Sequence, residues 1–134
     1  MIFQGMEPWP EGEPLVEIRT GERTIDLHNW ASFIGFEHRL PETLILRFDF
    51  DESEGGLRQG PHSKEVRLRF DGMSHLQVGG DESEHHYESD SLSEFIYREI
   101  TRSRGSVQVT MMDGLTLEFE AGSVVLEEDD PAIR

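Results

Sequence analysis

Between Thr43 and Asp51 apolar and polar positions alternate without a break. Leu44, Leu46, Phe48 and Phe50 share one face, and Ile45, Arg47, Asp49 and Asp51 share the other. A period of two is that of a half-buried strand and leaves little room for a helix. Lys64 to Phe70 repeats the pattern, with Val66, Leu68 and Phe70 inward and Glu65, Arg67 and Arg69 outward. Antiparallel pairing of these two strands would bring Arg67 and Arg69 towards Asp49 and Asp51, at about 0.2–1 kcal/mol per cross-strand pair.

Shorter alternations flank this pair. Leu15 to Arg19 and Thr24 to Leu27 lie either side of Thr20-Gly21-Glu22 and predict a hairpin. Asp71-Gly72 is a turn dipeptide, after which Ser74 to Val78 returns with Leu76 and Val78. Val107, Val109 and Met111 precede Asp113-Gly114, and Leu115, Leu117 and Phe119 follow it, which is the strongest hairpin signal in the chain. Ala121-Gly122 then turns into a last strand, Ser123 to Glu127.

Two segments break the alternation. In residues 28 to 40, Trp30, Phe33 and Ile34 stand at i, i+3, i+4, so the spacing predicts a short helix or turn plugging one end of a sheet, ended by Gly35. Ser91-Leu92-Ser93-Glu94 reads as a capping box, and Leu92, Phe95, Ile96 and Ile100 form a helical stripe, predicting a helix over Asp90 to Arg102. The fold expected is α+β but mainly β: an antiparallel sheet of about seven or eight strands, rolled into a small sandwich or half-barrel with one helix. Residues 1–14 read as an extended lead-in, 15–127 as one β-rich domain and 128–134 as a frayed acidic tail. The opening Met1 to Gly5 resembles a protease-tag scar ahead of Met6.

Charge changes the picture most. The chain of 134 residues holds 28 Asp+Glu against 12 Lys+Arg, a formal net charge of -16. Such a surface repels nucleic acid and anionic membranes and speeds encounter with basic partners. There are no cysteines, which excludes disulfides, thiolate metal sites and cysteine nucleophiles, and allows a cytoplasmic home. No run approaches the roughly 20 apolar residues of a membrane helix.

Candidate chemistry is sparse. Asp81 to Glu88 holds His85 and His86 among carboxylates, but adjacent residues rarely converge on one ion, and a solvated loop is the simpler reading. Asp49 to Gly56 lacks the ligand order of a calcium loop and follows a strand. No nucleophile elbow, zinc helix or phosphate loop is present. His28 and His38 flank the aromatic segment and could line a pocket near Trp30, although such histidines more often fill the rim of a core. No catalytic residue, metal site or cofactor is therefore assigned.

The order Trp30-Ala31-Ser32-Phe33, then Leu44 to Phe50, then Arg69-Phe70-Asp71-Gly72-Met73, then Met112-Asp113-Gly114-Leu115 resembles small bacterial immunity proteins of polymorphic-toxin systems. Those families often continue the first motif with His-Asp, where Ile34-Gly35 stands here. The resemblance implies a non-enzymatic protein that neutralises a toxin by tight binding, often through an acidic surface over a basic nuclease site. The contact residues expected on that reading are Asp51, Glu52 and Glu54 on one loop and Asp81, Glu82 and Glu84 on another, with Phe36 and Met112 as apolar anchors. The alternatives are a DNA mimic whose carboxylates replace phosphates, and a small-ligand or enzymatic β domain with a pocket near Trp30.

Overall fold

The computed structural model describes residues 1–29, 31–50, 65–80 and 92–128. Among them are eleven strands: β1 (Ile2–Gln4), β2 (Glu17–Arg19), β3 (Thr24–Asp26), β4 (Ala31–Arg39), β5 (Thr43–Phe50), β6 (Glu65–Asp71), β7 (Ser74–Gly79), β8 (Leu92–Thr101), β9 (Arg104–Met111), β10 (Thr116–Ala121) and β11 (Ser123–Glu128). They form a five-stranded sheet in the order β1-β11-β6-β5-β4, a four-stranded sheet β7-β10-β9-β8 and the hairpin β2-β3. Every pairing is antiparallel except β1 with β11. The expectation of a mainly β, mostly antiparallel fold holds.

Alternation places the core as the sequence predicts. Leu44, Leu46, Phe48 and Phe50 on β5 and Val66, Leu68 and Phe70 on β6 are buried, as are Val107, Val109 and Met111 on β9 and Leu117 and Phe119 on β10. The two larger sheets contribute to one apolar cluster. Across it Phe70 meets Phe119 edge-on at 4.7 Å and Phe48 meets Phe95 at 6.4 Å. Ile18 and Ile25, opposed in the β2-β3 hairpin, belong to the same cluster.

The expected helix over Asp90 to Arg102 is instead β8, and no helix occurs among the described residues. The reason lies in two irregularities of register. Leu92 pairs Met111 and Glu94 pairs Thr110, so Ser93 is an extra residue; a second shift between Glu99 and Thr101 makes Ile100 another. An inserted residue flips the inward phase of a strand. The buried positions therefore run Leu92, Phe95, Tyr97, with a step of three that imitates a helical stripe. The expected plug at Trp30 to Gly35 fails in the same way over its described part. Ala31 and Phe33 face the core, Ile34 is the extra residue of a shift between Phe33 and Gly35, and the phase then moves to Phe36. Trp30 itself lies outside the described residues.

On the outer face of the five-stranded sheet the β5-β6 pairing is antiparallel as expected. Its register sets Arg47 opposite Arg67, Asp49 opposite Glu65 and Ile45 opposite Arg69. Arg47 reaches diagonally to Glu65 at 2.6 Å, while Arg69 bonds Asp71 at 3.1 Å and Glu127 at 3.3 Å. Asp49 is thus the diagonal neighbour of Arg67, but Arg69 is engaged elsewhere. Asp51 lies outside the described residues.

Candidate functional site

Residues 6–16 carry the prolines Pro8, Pro10 and Pro14, which lack the N–H that a central strand must donate. Such a segment can still follow a sheet edge with its other amides, and it runs along β8 as a strap. Gly12 N–H donates to the Tyr97 carbonyl at 2.7 Å, and Leu15 and Phe95 exchange both backbone bonds at 2.8 and 2.7 Å. Trp9, only 5% exposed, drops from the strap between the two larger sheets. Its ring stacks on Phe95 at 5.0 Å, meets Phe70 edge-on at 6.1 Å and tilts against Phe3 at 5.6 Å. The indole Nε1 is buried without a hydrogen-bond partner among the described residues.

Above Trp9 the strap and β2 enclose a groove of about 500 Å³, lined by the three prolines, Leu15, Val16, Glu7, Glu13, Glu17 and Arg19. Three carboxylates face one guanidinium. Arg19 is bound by Glu17 at 2.8 Å, and its pKa is raised first by that hydrogen bond and the Glu17 charge, with a smaller contribution from Glu7. Glu7, Glu11 and Glu13 make no ion pair among the described residues. The negative field extends along the strap to Tyr97. Its phenol is pushed above the ordinary value of 10.0 by burial, then by the charges of Glu99 and Glu11.

A second hollow, of about 290 Å³, lies on the outer face of the four-stranded sheet. Register builds it from two rows, Gln77-Glu118-Gln108-Ile96 and Ser74-Glu120-Ser106-Arg98. His75 is in the left-handed region at φ 56, where β7 carries an extra residue opposite Phe119. A non-glycine residue held there costs on the order of 1–3 kcal/mol. Arg104 ties the rim together, donating to the Gly72 carbonyl at 3.0 Å, to Glu120 at 3.2 Å and to Ser74 Oγ. The surface offers amides, hydroxyls and charges of both signs, so it can hydrogen-bond but carries no strong single-sign field.

Of the expected contact residues, Asp51, Glu52, Glu54, Asp81, Glu82 and Glu84 lie outside the described residues, as do His85 and His86. Phe36 is 37% exposed on β4 and Met112 is 61% exposed in the β9-β10 turn. They are not brought together: Phe36 sits opposite Leu46 in the five-stranded sheet, whereas Met112 lies beyond the Leu92-Met111 pair in the other. His28 is half-buried with Nδ1 2.5 Å from the Leu92 carbonyl, and His38 is exposed on β4, so the two imidazoles do not share a pocket. No group of three or more metal-ligating side chains occurs among the described residues, and no helix there is long and apolar enough to cross a membrane.

Sequence reasoning missed Trp9, Glu7 and Glu13, because the proline-rich stretch shows no period. The available signal was the indole itself, which is too large and apolar to be left bare on an otherwise polar segment. No protein-family model matches this chain, and no curated protein or solved structure does so either.

Proposed function

We propose that this chain is an acidic, non-enzymatic binding protein, an immunity or antitoxin-type inhibitor that covers the cationic surface of a basic protein such as a nuclease. The observation that carries this reading is the strap groove, where Glu7 and Glu13 stand without ion pairs beside a lone, already engaged Arg19. The outer face of the five-stranded sheet is different, since there Arg47 and Arg69 are bonded to Glu65, Asp71 and Glu127. The strap therefore carries carboxylates that no described cation holds in an ion pair. Carboxylates left uncompensated on a rigid, proline-braced segment suit lysine and arginine side chains of a partner, and steer its approach.

Asp51, Glu52, Glu54, Asp81, Glu82 and Glu84, which lie outside the described residues, remain proposed contacts on the same reading. The shared core of the two larger sheets, through Phe48-Phe95 and Phe70-Phe119, supports reading the architecture as a small sandwich. A cytoplasmic home belongs to the same proposal.

The test is affinity capture from the native cell at low and high salt, followed by stopped-flow association with the purified captured protein. A basic partner whose association rate falls by an order of magnitude or more with salt, and whose nuclease activity this chain blocks, is the expected result. A salt-independent rate, or an acidic partner, would overturn the reading.

A further inference from the structure

A sheet edge presents unpaired backbone donors and acceptors, and each of the four edges of the two larger sheets is managed differently. In the five-stranded sheet β1 is only three residues long. In the four-stranded sheet β7 is distorted by the extra residue at His75, and β8 is covered by the strap at Phe95 and Tyr97. The fourth edge, β4, is nine residues long, and beyond its extra residue at Ile34 it runs regularly from Gly35 to Arg39 against β5.

That stretch carries exposed apolar side chains on an edge that no described strand pairs. Phe36 is 37% exposed and Leu40, just past the strand, is 86% exposed. Between them stand Glu37, His38 and Arg39, all exposed; within one chain Arg39 bonds Glu37 at 3.0 Å, a surface pair that crossed pairing with a second copy would exchange. Edge strands are commonly protected by charged side chains, and the two here are opposite in sign. Here one acid and one base bracket His38 symmetrically, as Phe36 and Leu40 do one position further out. A two-fold axis at His38 would set Phe36 of each copy against Leu40 of the other, and Glu37 against Arg39, twice over. Antiparallel pairing of one strand with itself has this isologous symmetry.

We propose that the edge of β4, which no described strand pairs on its outer side, is a self-association surface, on which a second copy of this chain pairs antiparallel about His38 and joins two five-stranded sheets into one of ten strands. The two strands supply hydrogen bonds, the apolar pairs supply buried area and the crossed charges fix the register. The net charge of -16 opposes this contact, so salt strengthens it. That response is opposite in sign to the one expected for a basic partner on the strap, and the two proposals stand or fall separately.

The chain has no cysteine, so His38→Cys introduces a unique thiol. Directly paired antiparallel residues have Cα atoms about 4.5–5.5 Å apart, within disulfide reach. Under mild oxidation the H38C protein is expected to form a covalent dimer, whereas V78C on the β7 edge stays monomeric. In sedimentation velocity of the cysteine-free chain, added salt is expected to raise the dimer fraction. E37R or R39E alone should weaken the dimer ~10-fold or more, and the double reversal E37R/R39E should restore it. A chain that stays monomeric at every concentration and salt, or a dimer indifferent to the single reversals, would overturn the proposal, as would a double reversal that fails to rescue it.

Discussion

The Tyr97 ring occupies the space above Gly105: a Cβ placed there would overlap Cε1 and stand 3.2 Å from both Cδ1 and Cζ. Tyr97 pairs with Val107 across β8 and β9, so the glycine is its diagonal neighbour, and the ring meets Phe3 edge-on at 5.3 Å. Gly105 is needed here for space. Gly105→Ala is expected to destabilise the fold by about 1–3 kcal/mol, as overpacking does. Tyr97→Leu in the same chain should recover part of that loss. Urea denaturation of the two single variants and the double variant measures the coupling, and strictly additive effects would refute the contact.

Trp9 offers a test of whether the strap belongs to the core. Trp9→Ala removes a ring packed on Phe95, Phe70 and Phe3 and is expected to cost about 3–5 kcal/mol, read as a lower urea midpoint. Trp9→Phe should cost much less, because it keeps an aromatic face for Phe95 and removes the buried, unpartnered N–H. Equal losses in the two variants would contradict the packing described.

Tyr97 also gives the molecule an alkaline weakness. Burial, Glu99 and Glu11 raise its phenol above 10.0 in the folded chain. The stability linked to this proton is complete below the unfolded value and is lost as pH rises through the folded one. Comparing urea midpoints at about pH 9 and about pH 11 should show a smaller loss in Tyr97→Phe than in the parent. A parallel loss in both proteins would place the alkaline sensitivity elsewhere.

For the strap surface, Glu7→Gln, Glu11→Gln and Glu13→Gln combined should slow association with a basic partner by up to ~10-fold at low salt and flatten its salt dependence. Thermal stability should stay nearly unchanged, because none of the three carboxylates makes an ion pair among the described residues. The comparison is with a chain neutralised at Asp51, Glu52, Glu54, Asp81, Glu82 and Glu84. If only that second set slows association, the contact lies on the loops and the strap is a bystander.

Where the inward phase is unbroken, the sequence was legible. β5, β6, β9, β10 and the Asp113-Gly114 turn could be placed from alternation and turn chemistry alone, because one buried face fixes the parity of a strand. Leu115 N–H bonding Asp113 Oδ1 at 2.9 Å shows why that dipeptide turns. Two strands were misread for one physical cause. Extra residues at Ile34, Ser93 and Ile100 shift the phase, so apolar residues fall three or four apart and mimic a helix. The strap was invisible for another reason, since its place is set by Trp9 and by hydrogen bonds to a strand distant in sequence. The charge excess could be read at once, but not which carboxylates are offset, because ion pairs such as Arg23 with Glu128 depend on which segments become neighbours.

The strap's attachment also bears on how the chain reaches its native state. Gly12 and Leu15 find their backbone partners on Tyr97 and Phe95, and β1 finds its own on β11. None of these contacts is available to a nascent chain until its later strands have emerged, and loop closure must come first. Topologies of this kind fold in milliseconds to seconds rather than microseconds. Throughout that interval the indole of Trp9 has no cavity to enter, which makes its fluorescence, read in a Trp30→Phe background, a natural clock for the last step of assembly.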